Sequence, residues 1–348
     1  MKQKKMCWPV FIGSVALALG FAFTARAQQA EAPAQMASAP PAQMETIFSN
    51  NPVAQEKMKK ISVCTACHDE TDPKHILAFF QTPHGALGDP RTPVCQSCHG
   101  ESKKHLDGAQ TSDGVRPPPD RVFGTKRTTT AGYQPMSPED QSEVCLGCHK
   151  GGLRLRWPGS QHPSNDVTCT NCHINHSEVD SVRDRLQQAS VCFTCHKEKR
   201  AEFNKISTMP LANGKVICSD CHNPHGSPGP KLMVKNTVNE TCFQCHADKR
   251  GPFLWEHEPV TEDCTNCHLP HGSNISPLLK SRPPFLCDEC HNGPHVSTQV
   301  TATNVTGLQG GGAAAGGNPS VLMVGRACMN CHVMIHGSNS PAGAFWHR

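Results

Sequence analysis

The pattern C-x-x-C-H occurs ten times between Cys64 and His332. It is the attachment signature of c-type haem, and its spacing follows from that chemistry. Two thiols add to the vinyl groups on one haem edge, and the adjoining histidine ligates the iron from that side. A later histidine or methionine then fills the opposite axial position. A chain carrying this pattern ten times is constrained more by its cofactors than by any apolar periodicity.

The motifs fall into five two-haem repeats, and a search for repeats rightly comes first. The first motif of each repeat is Cys64/Cys67/His68, Cys145/Cys148/His149, Cys192/Cys195/His196, Cys242/Cys245/His246 and Cys287/Cys290/His291. The second is Cys95/Cys98/His99, Cys169/Cys172/His173, Cys218/Cys221/His222, Cys264/Cys267/His268 and Cys328/Cys331/His332. Modules accordingly span 64–105, 145–176, 192–225, 242–271 and 287–336. Of 21 cysteines only Cys7 lies outside the motifs. None is left for a disulfide, a zinc site or a thiol nucleophile. A single C-x-x-C pair would leave a redox disulfide or half a zinc site open; ten, each followed by histidine, do not.

The remaining histidines supply the distal ligands. Nine fall where a module needs one: His84, His105, His162, His176, His225, His257, His271, His295 and His336. His75 and His347 do not. The tenth slot, in module three, holds Met209, thirteen residues after His196, as His162 lies thirteen after His149. Methionine is the other common distal ligand of c-type haem, so Met209 is expected on the fifth or sixth haem, with His75 or His347 as the competing ligands. His225 follows His222 by three residues, which span only about 10 Å. Such ligands are expected to cross to a neighbouring haem and staple the array together.

Residues 1–27 read as a secretory signal peptide: Lys2, Lys4 and Lys5, an apolar run from Trp8 to Phe23, then Ala25-Arg26-Ala27. An uncleaved anchor is the alternative, and either implies export. Residues 28–54, rich in Ala, Pro and Gln, read as a flexible tether, and 55–348 as the decahaem domain. Within it, 106–144, 226–241 and the Gly-rich 296–327 read as long connections, and 177–191 as a short helix. Aromatics are scarce, with one Tyr and four Trp, so the haems themselves must supply much of the core. The expected fold is a multihaem cytochrome c, mostly coil with short helices and little or no sheet, forming an elongated haem wire. The apoprotein is expected to be largely unfolded.

Removing residues 1–27 takes four of the 33 Lys and Arg and none of the 29 acids, leaving no net formal charge. There is no basic excess to suggest nucleic acid. Lys197/Lys199/Arg200 and Lys249/Arg250 are either partners for haem propionates or a solvated surface. Past residue 27 no apolar stretch is long enough to span a bilayer.

The stretches NETCFQCHADKRGPFLWEHEPVTEDCTNCHLPHGS (239–273), CSDCHNPHGS (218–227) and HGSNSPAG (336–343) resemble the decahaem cytochromes of the MtrA/DmsE type, from about residue 55 to the end. The resemblance implies ten covalent haems in a periplasmic wire, inserted in an outer-membrane β-barrel porin of the MtrB type. It would exchange electrons with periplasmic and extracellular cytochromes or with a donor or acceptor outside the cell. Met209 departs from the all-histidine pattern of metal-reducing members and is closer to the iron-oxidising MtoA and PioA types, which implies Fe(II) oxidation with inward electron flow. The competing readings are outward transfer to metal oxides or DMSO, a soluble periplasmic shuttle, and a multihaem reductase. A reductase needs an open iron position, and ten slots with ten ligands leave none.

Overall fold

The helices that carry the first cysteine of each module run from four residues at Phe285–Asp288 to fourteen at Pro52–Thr65. A computed structural model describes residues 50–72, 75–108, 112, 114–125, 132–291, 328–341, 343–344 and 346. The chain divides into Met1–Asn50 and Asn51–Arg348. The expected signal peptide, most of the tether, and the connection 296–327 lie outside the described residues, as do His295 and His347.

Helix α1 (Pro52–Thr65) starts where its capping residues dictate. Asn51 accepts hydrogen bonds from the Val53 and Ala54 amides, and Pro52 occupies the first turn. The tether therefore ends before residue 52: Ala54, assigned to it above, is buried with Ile61 and Leu87 in a small apolar cluster. Lys57 is buried beside them, its Nζ donating to the Thr92 carbonyl at 2.7 Å and to the Asp89 carbonyl. Then come α2 (Cys95–His99), α3 (Lys103–Asp107), α4 (Pro138–Leu146), α5 (Gln188–Phe193), α6 (Lys197–Glu202), α7 (Cys218–Cys221), α8 (Val238–Cys242), α9 (Glu258–Glu262) and α10 (Phe285–Asp288). Single 3-10 turns join them. The described residues contain no strand, only isolated bridges such as Ser207 with Ser273 and Trp255 with Ser338. The fold is thus mostly coil with short helices.

Two expectations shift. The helix read over 177–191 forms only at Gln188–Phe193. Asp180 turns away to His173 and the Ile174 amide, while Asp184 caps the Leu186 and Gln187 amides, so local side-chain bonds compete with helix. Conversely, the connection 106–144 ends in α4, started by Ser137 accepting from the Asp140 amide with Pro138 behind it. That capping signature was present in the sequence.

Few apolar side chains are buried: Trp157, Leu211, Ile217 and Leu279 join the three near α1. Buried amides do much of the joining. Gln188 donates through Nε2 to Ser219 Oγ at 3.0 Å and accepts from the Ser219 amide through Oε1, tying α5 to α7. Asn239 donates to the Val260 carbonyl at 2.9 Å and accepts from the Cys264 amide at 2.7 Å. Each amide thereby brings the two motifs of one module together. A protein interior normally relies on apolar burial, and here that surface is left for another component to supply.

Candidate haem-binding site

Every motif closes one helical turn. Outside α2, the histidine amide donates to the carbonyl of the first cysteine at 2.9–3.1 Å. Cysteines three apart and the histidine one further lie on one side of such a turn, where a flat ring can meet both sulfurs and one imidazole.

The cysteines then form a ladder. Within each module the first cysteines of the two motifs lie beside each other: Cys64 by Cys95, Cys145 by Cys169, Cys192 by Cys218, Cys242 by Cys264, and Cys287 by Cys328. Between modules the second cysteines stand within electrostatic reach: Cys98 of Cys148, Cys172 of Cys195, Cys221 of Cys245, and Cys267 of Cys290. These alternating contacts order the motifs linearly, and the spatial order is the sequence order.

One continuous cavity of about 6400 Å³ runs along the ladder. All twenty motif cysteines, all ten motif histidines, Met209 and the eight described distal histidines line it. Shared among ten groups it offers about 640 Å³ each, within the roughly 300–1,000 Å³ of a small-molecule site. His75 is exposed and does not line it.

Across this cavity the imidazoles face each other in pairs, always one motif histidine with one distal histidine. His68 faces His105 and His99 faces His176, both at 6.1 Å between ring centres. His149 faces His84 at 5.9 Å, His173 faces His225 at 6.1 Å, and His196 faces His162 at 6.2 Å. His222 faces His271 at 6.0 Å, His291 faces His257 at 6.1 Å, and His268 faces His336 at 6.2 Å. A metal–imidazole bond of about 2 Å on each side, plus about 1 Å to each ring centre, puts trans ligands roughly 6 Å apart. Aromatic pairs in general span that range as well. What ordinary stacking does not explain is eight pairs that each combine the two classes. The residues fit a haem between each pair.

The pairs settle which histidines meet, a point the sequence left open. His84, His162 and His257 reach forward to the first motif of the next module. His176, His225, His271 and His336 reach back to the second motif of the previous one. Among the described distal histidines only His105 stays within its module. The expectation that Met209 serves the fifth or sixth motif is overturned, because His196 and His222 already face His162 and His271. His246, the seventh motif histidine, faces no imidazole among the described residues. Met209 sits at the position equivalent to His257. Two residues before it, Ser207 bridges Ser273 through reciprocal amide–carbonyl bonds of 2.9 and 2.8 Å. Two residues before His257, Trp255 bridges Ser338 through the same pair of bonds, both 2.9 Å.

The outer nitrogens are held too. With Nε2 toward the cavity, Nδ1 keeps its hydrogen and donates. His162, His222, His257 and His268 donate to the carbonyls of Pro224, Lys231, Ile335 and Pro277 at 2.8–3.0 Å. Three others meet carboxylates: His68 with Asp72 at 2.8 Å, His173 with Asp180 at 2.7 Å, and His271 with Glu202 at 3.2 Å. Burial lowers the pKa of His257, His271 and His336, and that of His225 to about 4. Neutral imidazole is the form a metal needs. Of the basic clusters, Lys199 pairs with Glu202 at 2.7 Å and Lys249 with Asp248 at 2.9 Å. Sequence reasoning missed the carboxylates and the clamping amides. Gln188 and Asn239 stand four and three residues before a first cysteine, a signal that was available.

Comparison with known proteins agrees with the geometry. The family model described as a doubled CXXCH motif matches residues 209–251 and 257–295. A cytochrome c-type protein NrfB-like model matches 95–185. The multiheme cytochrome MtrA of Shewanella baltica (strain OS185) is 38% identical over 289 residues, covering 82% of this chain and 80% of that protein. Paired attachment motifs, facing imidazoles and this similarity along most of the chain lead to one conclusion: the chain belongs to the MtrA family of multihaem c-type cytochromes, carries covalent haem and transfers electrons.

Proposed function

We propose that the chain is a ten-haem electron conduit with no catalytic chemistry of its own. It works from the periplasm inside an outer-membrane β-barrel of the MtrB type, carrying electrons from extracellular Fe(II) inward to periplasmic carriers. The observation that carries this reading is the cysteine ladder, which keeps ten attachment motifs in one uninterrupted line beside one cavity. Each haem, when bound, supplies a site that gains and loses one electron. The chain's own residues fix order and spacing: thioether anchors on one edge, imidazoles above and below, and two staples between most neighbouring modules. At eight of the ten motifs a facing imidazole pair would hold a haem from both sides, which is what supports a conduit over a reductase.

Met209 is the tenth ligand in this reading and belongs with His246. The forward staples of modules one, two and four run to the first motif of the next module. Module three presents Met209 at the same bridge-anchored position, and His246 is that next first motif. His295 correspondingly belongs with His332. Thioether ligation raises haem potential relative to paired imidazoles, and a high-potential station suits electrons arriving from Fe(II).

A barrel closes its own backbone bonds in lipid and can enclose a plug. No helix among the described residues is long and apolar enough to cross a membrane, so passage through lipid needs such a partner. The test is purification from membranes in detergent. Intact mass should show ten haem additions, all irons should be low-spin and six-coordinate, and a β-barrel should accompany the chain. Complete release into a periplasmic extract without a barrel would leave a soluble shuttle as the better reading. Rapid carbon monoxide binding would favour an enzyme.

A further inference from the structure

Among the described residues, three facing pairs have a carboxylate on an outer nitrogen. His68, on the first motif, donates to Asp72; His173, on the fourth, donates to Asp180; and His271, which faces the sixth motif's His222, meets Glu202. Among the described contacts, ligands such as His105, His162 and His222 donate instead to neutral backbone carbonyls, those of Pro117, Pro224 and Lys231. The contacts are built into the fold. Asp180 lies 23% exposed and also accepts from the Ile174 amide, the residue directly after His173. It leaves the helix expected there in order to do so.

We propose that Asp72, Asp180 and Glu202 are potential-setting residues that hold the first, fourth and sixth haems below their neighbours. A carboxylate accepting the Nδ1 hydrogen makes the imidazole a stronger donor through Nε2. Stronger donation stabilises ferric iron over ferrous iron and so lowers the potential. The step is simple: one electron arrives from an adjacent haem and leaves to the next, and the hydrogen stays on Nδ1 in both states. This inference rests on the ligand pairs and on the electron-transfer reading, but not on the barrel or on the direction of flow.

The three are not equal. The fourth pair is asymmetric, because His225, opposite His173, has a buried Nδ1 with no hydrogen-bond partner among the described residues. All of the extra donation there comes through Asp180. At the sixth pair Lys199 competes for Glu202, at 2.7 Å against 3.2 Å for His271, so that effect is the smallest. The arrangement also makes neighbours unlike. Helix α6 ends in Glu202, which serves the sixth pair, and seven residues later Met209 faces the seventh motif in the reading above. The largest step in potential along the line therefore falls between the sixth and seventh haems.

The test is a redox titration of the holoprotein carrying Asp180→Asn, with Asp220→Asn as its counterpart. Asp220 stands by Cys221 and Arg185 but touches no axial histidine. Its loss removes one nearby charge without altering an imidazole's hydrogen bond. For Asp180→Asn one haem should shift so that its ratio of reduced to oxidised iron rises about tenfold at fixed solution potential, which is about 59 mV for one electron. The ferric electron-paramagnetic-resonance spectrum should change for that haem alone, and Asp180→Glu should restore both. Asp72→Asn should repeat the result at the first haem and serves if the Asp180 variant matures poorly. Equal shifts for Asp180→Asn and Asp220→Asn, or an unchanged ligand-field spectrum in both the Asp180 and Asp72 variants, would overturn the proposal. Both results can be read whether or not a barrel co-purifies.

Discussion

Modules three and four are built alike and present different chemistry. In both, the segment after the first motif is pinned by a two-bond bridge to the serine that follows a distal histidine, Ser207 to Ser273 and Trp255 to Ser338. In both, the chain after the second motif turns back so that its histidine donates to a backbone carbonyl, His222 to Lys231 and His268 to Pro277. Two residues past the bridge, module four places His257 and module three places Met209. His257 also packs against Trp346 at 5.0 Å and bonds Ile335; a methionine has no outer hydrogen to offer and needs no such acceptor. In the proposed reading the same scaffold would deliver either ligand, and one side chain on a fixed frame would set redox character.

Withholding haem breaks both modules at once. Expressed without haem attachment, the chain should give a disordered far-ultraviolet circular dichroism spectrum and rapid proteolysis along its length, since neither module has an apolar core of its own. Retained native-like protection in either would show that its bridges and amides suffice.

Exchanging the ligands sharpens the comparison. Met209→His should abolish the near-infrared band of His/Met haem and lower one potential, by a tenfold or greater change in the reduced-to-oxidised ratio, about 59 mV. His257→Met should do the reverse at the ninth haem. If neither changes the near-infrared spectrum, the equivalence of the two positions fails.

The bridges themselves come next. Gly272 and Gly337 precede the bridging serines at φ of 145° and 129°. A Cβ on Gly272 would land on the Glu202 carbonyl, and one on Gly337 on the Phe253 ring. Alanine at either should cost more than about 1 kcal/mol, with the larger loss at Gly272, because a main-chain carbonyl yields less than a side chain. Thermal denaturation of the two holoproteins checks the order.

The smallest effects separate the two anchors. Ser207 Oγ accepts from the Leu278 amide at 3.0 Å, while Trp255 Nε1 donates to the Ser340 carbonyl at 3.0 Å. Ser207→Ala should cost about 1 kcal/mol, a single hydrogen bond. Trp255→Phe should cost somewhat more, since it also loses apolar contact. Equal midpoints for both variants would mean the two bridges are held by backbone alone.

The attachment motifs, their grouping in pairs, eight of the histidines that face them and the coil-rich fold were legible in the sequence. Covalent attachment demands a fixed local spacing, and C-x-x-C-H is wholly local. The Met209 slot was legible too, because repeats align without a structure. What the sequence left open was partnership. His225 stands three residues from His222 yet faces His173, and Met209 lies nearest in sequence to motifs that other histidines serve. Distal ligands come from connections whose path depends on bridges and buried amides far along the chain, such as Asn239 with Cys264. The same holds for Asp180, which reads as part of a helix until its carboxylate meets His173. Local chemistry is written in local spacing; which side chains meet across the cavity is decided by how the turns close over one another, and that is a property of the tertiary structure alone.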